Sequence, residues 1–147
     1  MKRYGLPLLS LFMVALLAAG CARPKGPEEH AQWFFEKGEA MIIKSLKKQD
    51  ATEDQLKQAQ SVIDRHESQV TRDLAALFGK HRAMFSDLIG GEGESTLVAD
   101  GRAFHSEHVK ALKSIGAMHD DLSRTIGTEL WAAASKYRRQ EMEKKFR

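Results

Sequence analysis

Histidine is the side chain in this sequence best equipped for chemistry, and five of its six copies fall in long segments of helical periodicity. His105 and His108 are three positions apart, which on a helix sets both imidazoles on one face. His81 lies in the preceding segment, and His66 and His119, one in each segment, form a possible second pair. Neutral imidazoles bind zinc, copper or nickel, and three of them supply most of a site for such an ion. His81, His105 and His108 are therefore the expected ligands, with Glu107 and Met84 near enough to offer a fourth. Imidazole also titrates near neutrality, so histidines crowded between helices resist sharing positive charge. The fold is thus expected to be less stable at pH 5 than at pH 8, with or without an ion. No catalytic constellation accompanies them. The chain has no nucleophile motif and no dinucleotide glycine set, and Gly90-Gly91-Glu92-Gly93 lacks the Lys-Ser/Thr of a phosphate loop. Asp120 and Asp121 point about 100° apart on a helix and are read as solvated. A non-enzyme is expected, requiring no cofactor beyond an optional divalent transition metal.

The elements that would position these residues are all helical. The three prolines lie at positions 7, 24 and 27, so glycine is the only helix breaker in the remaining 120 residues. A first helix is expected from about Glu29 to Lys48, with Phe34, Gly38, Ile42 and Leu46 at every fourth position. Thr52-Glu53-Asp54-Gln55 reads as a capping box opening a second helix. That helix should reach Ile89, because Leu56, Ile63, Val70, Leu77 and Met84 recur at seven-residue steps, the mark of a helix packed along its length. The glycines at 90, 91 and 93 end it. A third helix begins between Ser95 and Asp100 and runs to Trp131. Its expected seam is Gly101, His105, His108, Leu112, Ile115, His119, Leu122 and Ile126, with Val109 beside it. A weakly amphipathic helix from Ala132 to Lys145 closes the chain. The resulting fold class is all-α: a long antiparallel helical hairpin with shorter flanking helices. A turn near residue 93 would set His81 opposite His105, with His108 a turn away, and His66 opposite His119. So thin a hairpin is expected to pair into a cradle-like homodimer.

The N-terminal residues address the chain. Lys2 and Arg3 precede an apolar run from Leu6 to Leu17, about 12 residues and short of the roughly 20 that span a bilayer. Leu17-Ala18-Ala19-Gly20-Cys21 comes next and holds the only cysteine. It resembles the bacterial lipobox, in which the cysteine becomes the acylated first residue of the mature chain. Residues 1–20 are then the lipoprotein signal peptide, residues 21–28 the acylated Cys21 and its tether, and residues 29–147 one all-helical domain. Ala22 in place of Asp favours the outer membrane, so the expected location is the periplasmic face of the envelope. Acylation of Cys21 also leaves no thiol for a disulfide. Loss of Lys2 and Arg3 reduces 23 basic residues to 21 against 20 acidic ones, a near-balance that offers nothing to nucleic acid. The C-terminal cations, Lys136, Arg138, Arg139, Lys144, Lys145 and Arg147, are read as a solvated helix end.

Over residues 29–147 this layout resembles the Spy/CpxP family of periplasmic proteins and the related heavy-metal-resistance proteins. Their Leu-Thr-x-x-Gln signature is matched by Thr52 and Gln55, though Ala51 stands where the leucine should be, and the second copy expected before the last helix is absent around Thr128 to Gln140. The aromatic-rich helix that precedes it (Trp33, Phe34, Phe35) also fits. The resemblance implies an ATP-independent chaperone or envelope-stress module whose partners are unfolded envelope proteins or a signalling protein. Its client surface would then include Phe34, Phe35, Met41, Phe78 and Phe104. The alternative it implies is a heavy-metal sensor or buffer using the seam histidines.

Overall fold

A computed structural model describes residues 26–145; Cys21, the expected signal peptide and most of the expected tether lie outside them. Within that range the chain is all-α, with four helices and no strand: α1 (Pro27–Lys47), α2 (Glu53–Gly90), α3 (Glu94–Ile126) and α4 (Thr128–Lys145).

Local chemistry sets most of the boundaries. Pro27 occupies the first turn of α1, where a missing N–H costs nothing, and Glu28 and Glu29 sit at the positive end of its dipole. The capping box at α2 is formed: Thr52 Oγ accepts from the Gln55 N–H at 3.2 Å, and Gln55 Oε1 accepts from the Thr52 N–H at 2.9 Å. Gly91 ends α2 at φ +80°, and the Glu92 N–H donates back to the Asp87 carbonyl at 3.1 Å.

Two boundaries differ from expectation. α3 starts at Glu94, without a side-chain cap, because the Gly93 carbonyl accepts the first bonds from Thr96 and Leu97. It also stops at Ile126 rather than Trp131. Gly127 adopts φ +98°, open to glycine alone at little cost, and its carbonyl starts α4 by accepting from Trp131 at 3.1 Å.

Contacts between α2 and α3 run in opposite order along the two helices: Gln55 meets Ile126, His66 meets Asp121 and His81 meets Phe104. The stripe on α2 is buried at Ile63, Val70 and Leu77, joined by Ala59, Val62 and Leu74. α1 contributes Ala31, Phe35, Ile42 and Leu46, and α4 contributes Ala134. On α3 the buried residues are Ala111, Met118, Leu122 and Ile126. The expected seam is therefore turned by one position along one edge. Periodicity places His105, Leu112 and His119 inward, but the line at the same seven-residue step that packs inward is Phe104, Ala111 and Met118.

The helices differ in length, and this shapes the molecule. α1 begins level with a point about two-thirds of the way along α2: Pro27 Cγ lies 3.9 Å from the point a Cβ on Gly79 would occupy, and the His30 and Phe78 rings are 5.3 Å apart. From there α1 runs back towards Thr52. Among the described residues, none between Leu77 and Ala111 is buried. The far end of α2 and the start of α3 form a bare two-helix arm, while all four helices share the core at the base.

Candidate functional site on the uncovered arm

Among the described residues, the exposed large apolar side chains lie on the arm and on the turn of α3 that adjoins it. Ile89 is 80 % exposed, Leu88 56 % and Phe85 48 %, and Val98, Val109 and Leu112 are also exposed. Phe85, Leu88 and Ile89 are three and four positions apart on α2, so they share a face. Val98, Val109 and Leu112 repeat on α3 at spacings of eleven and three, close to whole turns. Two apolar stripes thus flank the turn at residues 91–93.

Phe85 also begins a row of ring contacts that crosses from α2 to α3. His81 lies 5.1 Å from Phe85 and 5.7 Å from Phe104, and Phe104 lies 5.9 Å from His108. Burial lowers the His81 pKa below the usual imidazole value. The structure thus places Phe104 against both imidazoles, and His105 faces solvent. No group of three or more His, Cys, Asp or Glu side chains placed to hold an ion occurs among the described residues. Glu107 is engaged instead by Lys110 at 2.8 Å.

Nearer the turn, Asp87 and Asp100 face each other across the arm. The Asp100 carboxyl is raised above the ordinary value, first by burial, then by its hydrogen bond to and the charge of Asp87; Lys80 opposes this and Glu92 adds to it. That hydrogen bond needs a shared proton. With both groups ionised, Asp100 Oδ2 is buried without a partner.

The second histidine pair is divided among other partners at the base. His66 Nε2 lies 2.7 Å from Asp121 Oδ2, and Arg124 holds the other oxygen of that carboxylate. Hydrogen bonds from His66 and then Arg124 keep the Asp121 pKa below its usual value. Asp121, read from the sequence as solvated, is thus an interhelical contact. His119 packs 5.3 Å from Trp131; burial lowers its pKa, the Arg138 charge lowers it further, and Asp120 opposes.

The aromatic residues expected on a client surface are mostly inside. Phe35 is only 5 % exposed, because it shares a helical stripe with Ala31, Ile42 and Leu46 that faces α2. Phe34 and Phe78 meet edge to face at 6.1 Å against the core, and Phe104 packs there as well. Met41 is half-buried. The exposed apolar surface lies instead on Phe85, Leu88, Ile89, Val98, Val109 and Leu112. For Phe85, Leu88, Ile89 and Val98 the signal that locates it is a difference in length: 38 and 33 residues in α2 and α3 against 21 in α1.

Thr52 and Gln55 do more than cap. Gln55 Nε2 also donates to the Ile126 carbonyl at 3.3 Å, satisfying an acceptor that the end of α3 leaves open. Comparison with known proteins returns no match to this chain, whether among protein-family models, curated proteins or solved structures.

Proposed function

We propose that this chain is a lipid-anchored, non-enzymatic binding module of the bacterial envelope, similar in character to the Spy/CpxP proteins, that shields unfolded envelope proteins. The observation that carries this reading is the arm. A soluble protein rarely leaves several large apolar side chains uncovered on one element without a partner for them. Exposed Phe, Leu, Ile and Val at helical spacing, with Lys80, Arg82 and Arg102 and the acids Asp87, Glu92 and Glu94 around them, offer apolar contacts flanked by both signs of charge, which suit an unfolded chain of no fixed sequence.

In this proposal α2 and α3 form the long hairpin, two copies pair into a cradle, and Cys21 carries the acyl chains that hold the protein at the periplasmic face of the outer membrane. The test is suppression of aggregation. A form beginning at Ala22 should slow light scattering by a chemically denatured test protein at near-equal molar ratio. The Phe85→Ser/Leu88→Ser/Ile89→Ser variant should lose most of that effect while keeping its helical signal. A wild-type chain without effect, or a variant as active as wild type, would remove the proposal.

A further inference from the structure

We infer that the tip of the arm, Phe85, Leu88, Ile89 and Val98, rests in the surface of the bilayer that holds the Cys21 acyl chains. The inference rests on the lipid anchor proposed for Cys21. Its geometric basis is where the chain enters the fold. α1 starts beside Gly79, so the tether arrives at the root of the arm rather than at the base. From Gly79 to Gly90 the arm extends about 17 Å at 1.5 Å per residue. From Cys21 to Gly26 the tether can reach about 18 Å when extended. The two lengths are matched, so an anchored Cys21 keeps the arm's tip within reach of the same membrane. A longer tether, or a helix starting at the base, would not impose this.

The chemistry of the tip fits a lipid surface. Leu88 and Ile89, the two most exposed large apolar residues among those described, stand at the very end of α2. Both signs of charge surround them, with Lys80, Arg82 and Arg102 against Asp87, Glu92, Glu94 and Asp100. Mixed charge around an apolar wedge suits zwitterionic headgroups, where ammonium and phosphate each find a counterpart. A strongly anionic surface would be repelled by the acidic turn. The bilayer would thus cover the arm until an unfolded chain competes for it.

The full acylated chain, reconstituted in vesicles of phosphatidylethanolamine and phosphatidylcholine, tests this. Gly90 accepts a side chain, since nothing lies within 4 Å of its Cβ position. Gly90→Cys then carries an environment-sensitive dye, and Ser61→Cys, about 43 Å away along α2, carries the control. The expected result is blue-shifted, several-fold brighter emission at position 90, quenched by lipid-borne nitroxides, with position 61 unchanged. Leu88→Ser/Ile89→Ser should abolish the shift. Emission at 90 matching that at 61 in a chain whose mass shows the acyl groups would overturn the inference and leave the anchor standing. A mass without acyl groups would overturn the anchor and the inference together.

Discussion

Gln55→Glu separates two explanations of the Thr-x-x-Gln motif by the sign of its effect. If Gln55 serves only the cap, glutamate is an equal or better residue. It keeps an oxygen for the Thr52 N–H and adds a negative charge to the first turn of α2, worth about 0.3–1 kcal/mol in favour. If its contact with α3 matters, glutamate is harmful. The Nε2 donor, 3.3 Å from the Ile126 carbonyl, becomes an acceptor facing an acceptor. The lost bond costs about 1 kcal/mol, and an opposed pair of partly buried oxygens raises the total to about 1–3 kcal/mol. The net expectation is a loss of about 1 kcal/mol or more, or about 4 °C in Tm for a domain of this size. Gln55→Ala should cost about 2 kcal/mol, because both bonds go. Thr52→Ala should cost about 1 kcal/mol, because only the cap goes. Thermal melts at pH 7 order the three variants, and amide exchange at residues 127–131 should quicken in both Gln55 variants and not in Thr52→Ala. A Gln55→Glu protein that melts at or above wild type would refute the contact between α2 and the end of α3 as a source of stability.

The same geometry sets other outcomes. His81 and His119 both have pKa values lowered by burial, so the unfolded chain binds their protons more readily. Their contribution is complete above about pH 6.5 and is lost as pH falls through that value towards their lower folded values. Asp121 is also lowered and gives way only on further acidification, through the ordinary carboxylate range. Asp100 works in the opposite sense: its raised value favours the folded state in acid, and that share is lost as pH rises through it. Tm should therefore be lower at pH 5 than at pH 8, and His81→Phe/His119→Phe should flatten the profile between pH 5 and 7; an unchanged slope would contradict this. Gly127→Ala forces a side chain onto φ +98° and should cost about 1–3 kcal/mol. Gly116→Ala, inside α3 with open space at its Cβ, should instead gain up to about 1 kcal/mol; chemical denaturation of the two variants measures the contrast. With Phe104 packed against both His81 and His108, zinc titration by calorimetry should reveal no saturable site that His81→Ala/His105→Ala/His108→Ala removes. A tight site lost in that variant would mean the arm rearranges around an ion, and would favour the sensor reading.

What is legible in the sequence is local. The Thr52–Gln55 cap, the glycine stop at 91 and the seven-residue stripe on α2 depend on neighbours within one or two turns, and each is in place. What stays hidden depends on how helices rotate against one another. On α3 the line His108, Ile115, Leu122 can take either of two flanking lines as its partner. By residue size Leu112 outweighs Ala111, so the periodicity points to His105, Leu112 and His119. The fold takes Phe104, Ala111 and Met118, the small Ala111 between two large side chains, and turns His119 towards Trp131 of α4. That choice needs knowledge of α4, which exists as a separate helix only because Gly127 sits at positive φ. Gly116 has the same composition signal and stays helical. The exposed apolar surface differs from the expected aromatic one for a related reason: the aromatic residues of α1 are conspicuous in sequence, but α2 covers them, and Phe85, Leu88 and Ile89 are left bare where α1 is too short to reach.

Arg138 shows why the base and the arm should behave differently. In the sequence its charge reads as part of a solvated basic tail. Yet Ser45 is fully buried on the inner stripe of α1, and a hydroxyl there needs partners. It donates to the Ile42 carbonyl at 2.7 Å and accepts from Arg138 Nη1 at 2.6 Å. The guanidinium also donates to Ser135 at 2.7 Å and lies 4.4 Å over the Trp131 ring. No carboxylate pairs with it among the described residues, and burial, then the Arg139 charge, brings its pKa down to about 10, still fully charged at neutral pH. A half-buried cation held only by hydroxyls and a ring face is well placed in one geometry and poorly placed in any other, so it fixes α4 to α1. The arm has no equivalent clasp. Its helices touch through half-buried rings and a pair of carboxyls that oppose each other once both are charged. Local opening free energy should therefore fall from the base towards residue 90, which is the gradient expected of a fixed base carrying an adaptable apolar arm. Native-state amide exchange would read it directly, with protection at Leu122 and Leu46 near the global value and protection at Leu88 far below it; equal protection at both ends would mean the arm is as rigid as the core, and an adaptable client surface would have no physical basis.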